Sequence, residues 1–394
     1  MKQTRQAVIV SAVRTPMGSF NGVFGPVPST KLGSLAIAEA LRRVQLSPTR
    51  VQEVLMGCVL SAGLGQAPAR QASIGAGIPD SVGATTVNKV CGSSLKTVIM
   101  AAQAIALGEA NVVVAGGMEN MTRSPYLLEK ARQGYRLGHA ELVDSLIKDG
   151  LWDVYNDFHM GTGGERCATK YLLTRKEVDD FALESYRRAR EAIATGAFTK
   201  EIVPVEVPQR KGQSLIVTED EEPNRVDLSR MRELKPVFQD DGVLTVGNSP
   251  SCNDGAAALV VMAEEEAASL GLTPMARLVG YAGAALAPEW FTIAPVEAIK
   301  RVLRQTGLSV GEIDVFEINE AFSAVSLAIN RELGLDEKKV NIHGGAVALG
   351  HPIGATGARI LTTLLHLMEA RGARRGLASL CIGGGEALAL VVER

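Results

Sequence analysis

Aromatic residues make up only 4% of this 394-residue chain, against 46% for all hydrophobic types. The core is therefore expected to be built from Ala, Val, Leu and Ile. Excess charge is also missing: the formal net charge is -2, which leaves no electrostatic footprint for nucleic acid, whose binding modules are usually strongly basic. Cysteine is sparse and unpaired in pattern. Cys58, Cys91, Cys167, Cys252 and Cys381 are odd in number and widely spaced, which fits neither a disulfide framework nor a CxxC metal site. The longest apolar stretches, such as AAALVVMA at 256–263, read as too short to cross a bilayer. Strand-like AVIVSAV begins at Ala7, where a leader peptide would lie, and the terminal LALVVER is not a peroxisomal address. No GxGxxG follows a strand with an acidic residue downstream, so a dinucleotide fold is not indicated. These absences lead to the expectation of a soluble cytoplasmic protein with neither nucleic acid nor membrane as partner.

What is abundant is glycine, 41 residues, which implies many tight turns and close backbone approaches. Short β-branched runs alternate with longer helical patterns. Strands are predicted at 7–13, 51–60, 111–116, 257–263, 276–282, 314–318, 377–382 and 387–393. Helices are predicted at 31–45, 94–107, 176–195, 295–306, 321–333 and 356–371. The alternation predicts α/β layers with strands buried on both faces. Residues 121–250 carry more charge, including TEDEEPNR at 218–225, and fewer strand runs, so they read as an inserted lobe of loops and helices whose charge could be solvated surface. The two ends of the chain echo each other: a glycine-rich turn bearing a reactive side chain enters a helix after Cys91 and again after His351. That echo suggests an internal duplication.

Cys91 stands in VNKVCGSSLK, where CGSS opens a helix. Unsatisfied N–H groups and the positive end of the helix dipole favour a thiolate there, although a small buried core residue is the commoner fate of cysteine. His351, in GGAVALGHPIGATGAR, lies among glycines and before Pro352. A histidine so placed can deprotonate a thiol and later donate to an oxyanion, or it can simply be a turn residue satisfied by backbone. Cys381 precedes Gly383, Gly384 and Gly385 at the end of an apolar strand; the run lacks the lysine of a phosphate-binding loop, and a thiol there could act as a base. Asn319, in NEAF, could hold a water in the site or cap the next helix. His159, in DFHMGTGGE, is equally two-sided.

Taken together and in order, VNKVCGSS, NEAF, GGAVALGHPIGATGAR and CIGGGEA resemble the thiolase family, as do SAVRTPMGSFNG and GLGQAPARQASIGAGIP nearer the start; the match covers nearly the whole chain. The resemblance implies a thiolase-like fold of two duplicated α/β halves in layered αβαβα order. Residues 1–120, completed by about 251–272, would form the first half, 121–250 the inserted loop lobe, and 273–394 the second half. It implies Cys91 as the nucleophile that carries the acyl group, His351 as its activator, and Cys381 as the acid–base at the α-carbon. Asn319 (through a water) and His351 would form one oxyanion hole, and the N–H groups of Cys91 and Gly383 the other. His159 and Met160 would line the acyl and pantetheine pocket, with Arg210, Lys211 and Arg225 near the phosphorylated adenosine. Coenzyme A and acyl-CoA would be substrates, with no permanently bound cofactor, and the insert at about 124–147 would help assemble a homotetramer, a dimer of dimers.

Three departures from the family pattern stand out. Pro250 replaces a serine that contacts pantetheine, leaving Ser251 as the substitute. Trp290-Phe291-Thr292 replaces a Met-Gly stretch and points to short substrates. Gly163 and Gly164 follow Met160 where bulkier residues are common and are expected to reshape the acyl pocket. The activity implied is acetyl-CoA C-acetyltransferase, the reversible condensation of two acetyl-CoA. The alternatives are a broad-chain 3-ketoacyl-CoA thiolase of fatty-acid oxidation and, more remotely, a non-catalytic scaffold subunit. Synthases with Cys-His-His or Cys-His-Asn sets are disfavoured by Cys381.

Overall fold

A computed structural model describes residues 5–209 and 212–394. Its main sheet contains β1 (Ala7–Arg14), β2 (Glu53–Gly57), β3 (Gly83–Val87), β4 (Val112–Asn120), β5 (Asn253–Ala263), β6 (Ala276–Ala285), β7 (Val315–Ile318), β8 (Arg375–Ile382) and β9 (Glu386–Glu393). Their spatial order is β3-β2-β4-β5-β1-β6-β9-β8-β7. Reading outward from the β1/β6 junction, the two sides repeat. On one side β1/β5 and β5/β4 are antiparallel and β4/β2 and β2/β3 parallel. On the other β6/β9 and β9/β8 are antiparallel and β8/β7 parallel, and a single parallel bridge from Phe316 to Val340 stands where β3 stands in the first half. Even the irregularities correspond, with a register shift between Ile9 and Ser11 in β1 and between Leu278 and Gly280 in β6. The halves meet antiparallel at Val8–Arg277 and Ile9–Ala276.

Strand alternation sorts the apolar side chains into layers. Two helices, α2 (Ser93–Leu107) and α7 (Thr356–Arg371), lie between the inner faces of the two halves. Leu95, Val98 and Ile105 of α2 and Ile360, Leu364 and Met368 of α7 share one core with Ile9, Val113, Leu259, Leu278, Leu380 and Leu390. On the first half's outer face, α1 (Ser29–Arg43) sets Leu32, Ala36 and Ile37 against Val8, Val10, Val114 and Met262. On the second half's outer face, α5 (Ala294–Thr306) and α6 (Ser323–Leu333) set Ile299, Val302, Val325 and Ile329 against Phe316, Leu377, Ala389 and Val391. This is the five-layer arrangement expected from the sequence.

One apolar segment is longer than the sequence reading allowed. Val90–Leu107 is long and apolar enough to span a bilayer by composition. Its helical part is 15 residues, about 22 Å at the usual rise, short of a 30 Å hydrocarbon core, and it forms the central layer. The inserted lobe also differs from expectation. Among the described residues it contains two α-helices, α3 (Met160–Lys170), which was not predicted, and α4 (Arg175–Ala194), whose Thr174–Glu177 capping box fixes its start. Nor is TEDEEP mere surface: Asp220 is fully buried and grips Arg14 with both carboxylate oxygens (2.6 and 2.8 Å), while Glu201 takes the same guanidinium's Nε at 2.5 Å. Glu221 accepts the N–H groups of Ser19 and Val23.

Candidate active site

The turn from β3 into α2 is tied tightly enough to hold an unfavourable backbone. Val90 has φ +46°, a region β-branched residues avoid. Its N–H donates to Asn88 Oδ1 (3.0 Å), and its carbonyl accepts from the Ser93 hydroxyl (2.6 Å), which itself accepts the Lys89 N–H (2.8 Å). Gly92 is required by crowding, since a Cβ there would lie 2.4 Å from Ile382. These restraints present Cys91 two residues before the helix begins at Ser93.

His351 is placed from the opposite half. Its N–H donates to Asn253 Oδ1 (2.9 Å), and Gly350, at φ +97°, leaves room for that amide. Its Nδ1 lies 2.6 Å from the Thr356 hydroxyl. That hydroxyl's single proton goes to Pro352 O (2.8 Å), so it must accept from Nδ1–H, and Nε2 is left as the free base. Three residues on, Gly354 N–H donates to Glu119 (2.9 Å), a buried carboxylate at the end of β4 that also accepts from Val59 and Leu60 (3.0 and 3.1 Å).

Cys91, His351 and Cys381 line one cavity of about 200 Å³, with Gly383, His159, Met160 and Ser251 also in its wall. Burial raises the Cys91 thiol to about 11, against the pull of the backbone N–H groups of Gly383 and Cys91 itself. The anion expected from the helix start is thus outweighed by desolvation, and the resting thiol is protonated. Burial, aided by the Arg359 charge, lowers His351 to about 3, so it is a neutral imidazole. Cys381 is also raised, first by burial and then by its proximity to Cys91. Two thiols and one neutral base therefore share an apolar chamber.

Aromatic rings pack against α3 in the cavity wall. A Cβ on Gly161 would lie 2.2 Å from Phe238, one on Gly163 2.5 Å from Phe291, and one on Gly164 2.5 Å from Leu244 and 3.1 Å from Phe322. Phe291, Leu244 and Phe322 occupy the space that a side chain at Gly163 or Gly164 would take, so these glycines bear on the cavity through the rings they admit. His159 caps α3 by accepting the Gly161 N–H on Nδ1 (3.0 Å), which leaves its Nε2 as the N–H donor, and its ring stacks on Phe238 at 5.1 Å.

Not every predicted residue joins this wall. Asn319 is buried and not among the lining residues, and neither amide atom has a protein hydrogen-bond partner among the described residues, as suits a side chain that holds water. Arg225 pairs with Glu221 at 3.0 Å and is not among the lining residues. Arg210 and Lys211 lie outside the described residues. The Ser251 hydroxyl is engaged with Asn253 at 2.9 Å, whereas Ser249, not singled out from sequence, lines the cavity with a buried hydroxyl that has no protein partner among the described residues. Asn253, Thr356 and Glu119 were also missed; each acts on a residue distant in sequence or carries no reactive signature.

A cavity where a thiol from one α/β half meets an imidazole and a second thiol from the other defines an acyl-transfer site on a duplicated fold. Comparison with known proteins agrees: the thiolase N-terminal domain model matches residues 7–265 and the thiolase C-terminal domain model residues 272–394. The chain belongs to the thiolase family. It is 53% identical over 391 residues to acetyl-CoA acetyltransferase 2 of Arabidopsis thaliana, covering 99% of this chain and 97% of that one. It is 51% identical over 391 residues to acetyl-CoA acetyltransferase of Pseudomonas aeruginosa, covering 99% and 100%. The crystal structure of the Bacillus anthracis acetyl-CoA acetyltransferase superimposes with a TM-score of 0.97 at 40% identity, over the full length of both chains.

Proposed function

We propose that this protein is an acetyl-CoA C-acetyltransferase, condensing two acetyl-CoA to acetoacetyl-CoA and CoA, or running the reverse. The carrying observation is the convergence of Cys91, His351 and Cys381 on one cavity with Phe238, Phe291 and Phe322 in its wall. The Cys91 sulfur attacks the thioester carbonyl while His351 Nε2 takes its proton. With the thiol at about 11 and the imidazole at about 3, a preformed ion pair is disfavoured, so the proton moves as the carbon–sulfur bond forms. CoA departs with a proton from the Cys381 thiol, leaving a Cys381 thiolate, a protonated His351 and an acyl-Cys91 whose oxygen faces the N–H groups of Cys91 and Gly383. The Cys381 thiolate then removes a proton from the α-carbon of a second acetyl-CoA, while His351 Nε2–H and an Asn319-held water support the enolate oxygen. Attack of the enolate on the acyl group breaks the bond to Cys91, whose sulfur takes back the His351 proton, and releases acetoacetyl-CoA with all three groups in their starting states. No step calls for a permanently bound cofactor.

The test is CoA-dependent thiolysis across a 3-ketoacyl-CoA chain-length series, with Cys91→Ala as control. Activity confined to acetoacetyl-CoA supports the proposal; activity rising with chain length replaces it with the broad-chain thiolase of fatty-acid oxidation. No acyl adduct at Cys91 would leave the scaffold reading. We also infer a homotetramer, supported by exposed apolar side chains at Tyr126, Leu137 and Leu142, and checked by light scattering. A reducing cytoplasm is inferred from the five free cysteines, checked by imaging the tagged protein.

A further inference from the structure

Two polar side chains lie on one face of the β7 segment, because strand residues two apart point the same way: Glu317 and, just past the strand end, Asn319, each 1% exposed. That strand packs on α7, whose Arg359 is equally buried and reaches to 3.9 Å from the Glu317 carboxylate. Among the described residues, all three guanidinium nitrogens of Arg359, Glu317 Oε1, both amide atoms of Asn319 and Thr362 Oγ1 have no protein hydrogen-bond partner. Buried polar atoms of this kind are normally satisfied, and ordered water satisfies them where protein does not. The same helix begins at Thr356, the acceptor of His351 Nδ1–H, one turn before Arg359.

We propose that Arg359 and Glu317, bridged by ordered water, are positioning residues for the acyl-transfer site: they lock the strand that leads to Asn319 against the helix whose first residue receives His351. The proposal rests on the reading given under Proposed function. It joins Asn319 and His351, which come from different elements.

The charges around the pair suit this role. Arg359 is faced by Glu317, Arg14, Glu201 and Asp220 and acts on Glu320. Burial raises the Glu317 carboxyl, and the Arg359 charge pulls it back down. Glu201 and Asp220 add negative charge beside Arg14 and Arg359. His351 is approached by the Arg359 charge from its own segment, by Cys91 and Cys381 across the cavity, and by Glu119 through Gly354. Removing the guanidinium takes away a cation that opposes imidazolium, so His351 becomes easier to protonate and the base is lost at a higher pH.

The experiment is steady-state thiolysis of acetoacetyl-CoA by the full-length protein from pH 5 to 9, for wild type, Arg359→Met, Arg359→Lys and Glu317→Gln, with thermal unfolding alongside. Arg359→Met is expected to lower kcat about tenfold to a hundredfold, the scale of a small misplacement of catalytic groups, with KM for both substrates unchanged. Arg359→Lys keeps the charge but not the planar fork, so kcat should fall there too, at unchanged KM. An unchanged kcat in Arg359→Met, or a change in KM alone, overturns the proposal. Should Arg359→Met fail to fold, the other two variants decide: wild-type kcat in both overturns it, and a reduced kcat at unchanged KM in Arg359→Lys upholds it. An inactive wild type would instead defeat the underlying functional reading.

Discussion

The imidazole of His351 is oriented by Thr356, five residues later, through a 2.6 Å contact whose direction is fixed because the threonine proton is already given to Pro352. Thr356→Val should therefore lose about tenfold to a hundredfold in kcat, or about 1.4–2.8 kcal/mol, by freeing the other tautomer and ring rotation. Thr356→Ser, which keeps the acceptor, should recover most of it. Equal loss in both variants would show that packing rather than the hydrogen bond matters.

Because burial holds the Cys91 thiol at about 11, iodoacetamide should alkylate it slowly at neutral pH. The sign is direct: below a raised pKa the thiol is protonated, so the rate should climb about tenfold per pH unit without levelling off before about pH 10. A plateau near neutrality, read by mass spectrometry of the labelled peptide, would mean that a thiolate is already formed at rest.

Ser249 and Ser251 make contrasting predictions. The Ser249 hydroxyl faces the cavity unpaired, so Ser249→Ala should raise KM for CoA by several-fold, equivalent to about 0.5–1.5 kcal/mol for one hydrogen bond. Ser251 is tied to Asn253, which carries the His351 backbone, so Ser251→Ala should act on kcat more than on KM. The reverse pattern would restore Ser251 as the pantetheine contact.

Phe291 occupies the space over Gly163. Phe291→Ala should extend thiolysis to longer 3-ketoacyl-CoA while reducing melting stability, at a cost of about 3–5 kcal/mol for a buried ring. An unchanged chain-length profile would place the limit elsewhere in the cavity.

Asp220→Asn should be severely destabilising, because it breaks a fully buried pair and leaves Arg14 short of a counter-charge, at about 3–5 kcal/mol. Denaturant unfolding would measure it. A loss below about 1 kcal/mol, the size of an exposed pair, would contradict the role assigned to the TEDEEP segment.

The reactive residues were legible because each breaks a local pattern: Cys91, His351 and Cys381 are polar or reactive groups in glycine-rich turns at the ends of apolar runs. The layers were legible from strand and helix periodicity. Less visible was β3, whose GATTV sequence is half-exposed and so lacks a hydrophobic signature. Arg14 carried no signal in the sequence, since its partners lie 187 and 206 residues away. That the Ser249 hydroxyl has no protein partner among the described residues while Ser251 bonds Asn253 was hidden, because one or two residues in an irregular loop change which hydroxyl is engaged. Helix dipole reasoning at Cys91 failed for a simpler cause: the burial of the thiol was not visible in the sequence.

The repeated strand order has a consequence for how the chain can be divided. Cys91 precedes a central helix of one half and His351 a central helix of the other, and the link between the halves passes Gly271, a left-handed turn at φ +66°. A polypeptide severed there yields one fragment holding the nucleophile and another holding both the base and the second thiol. Neither piece could complete a turnover alone, and the rate of a mixture would follow the product of the two fragment concentrations until they associate.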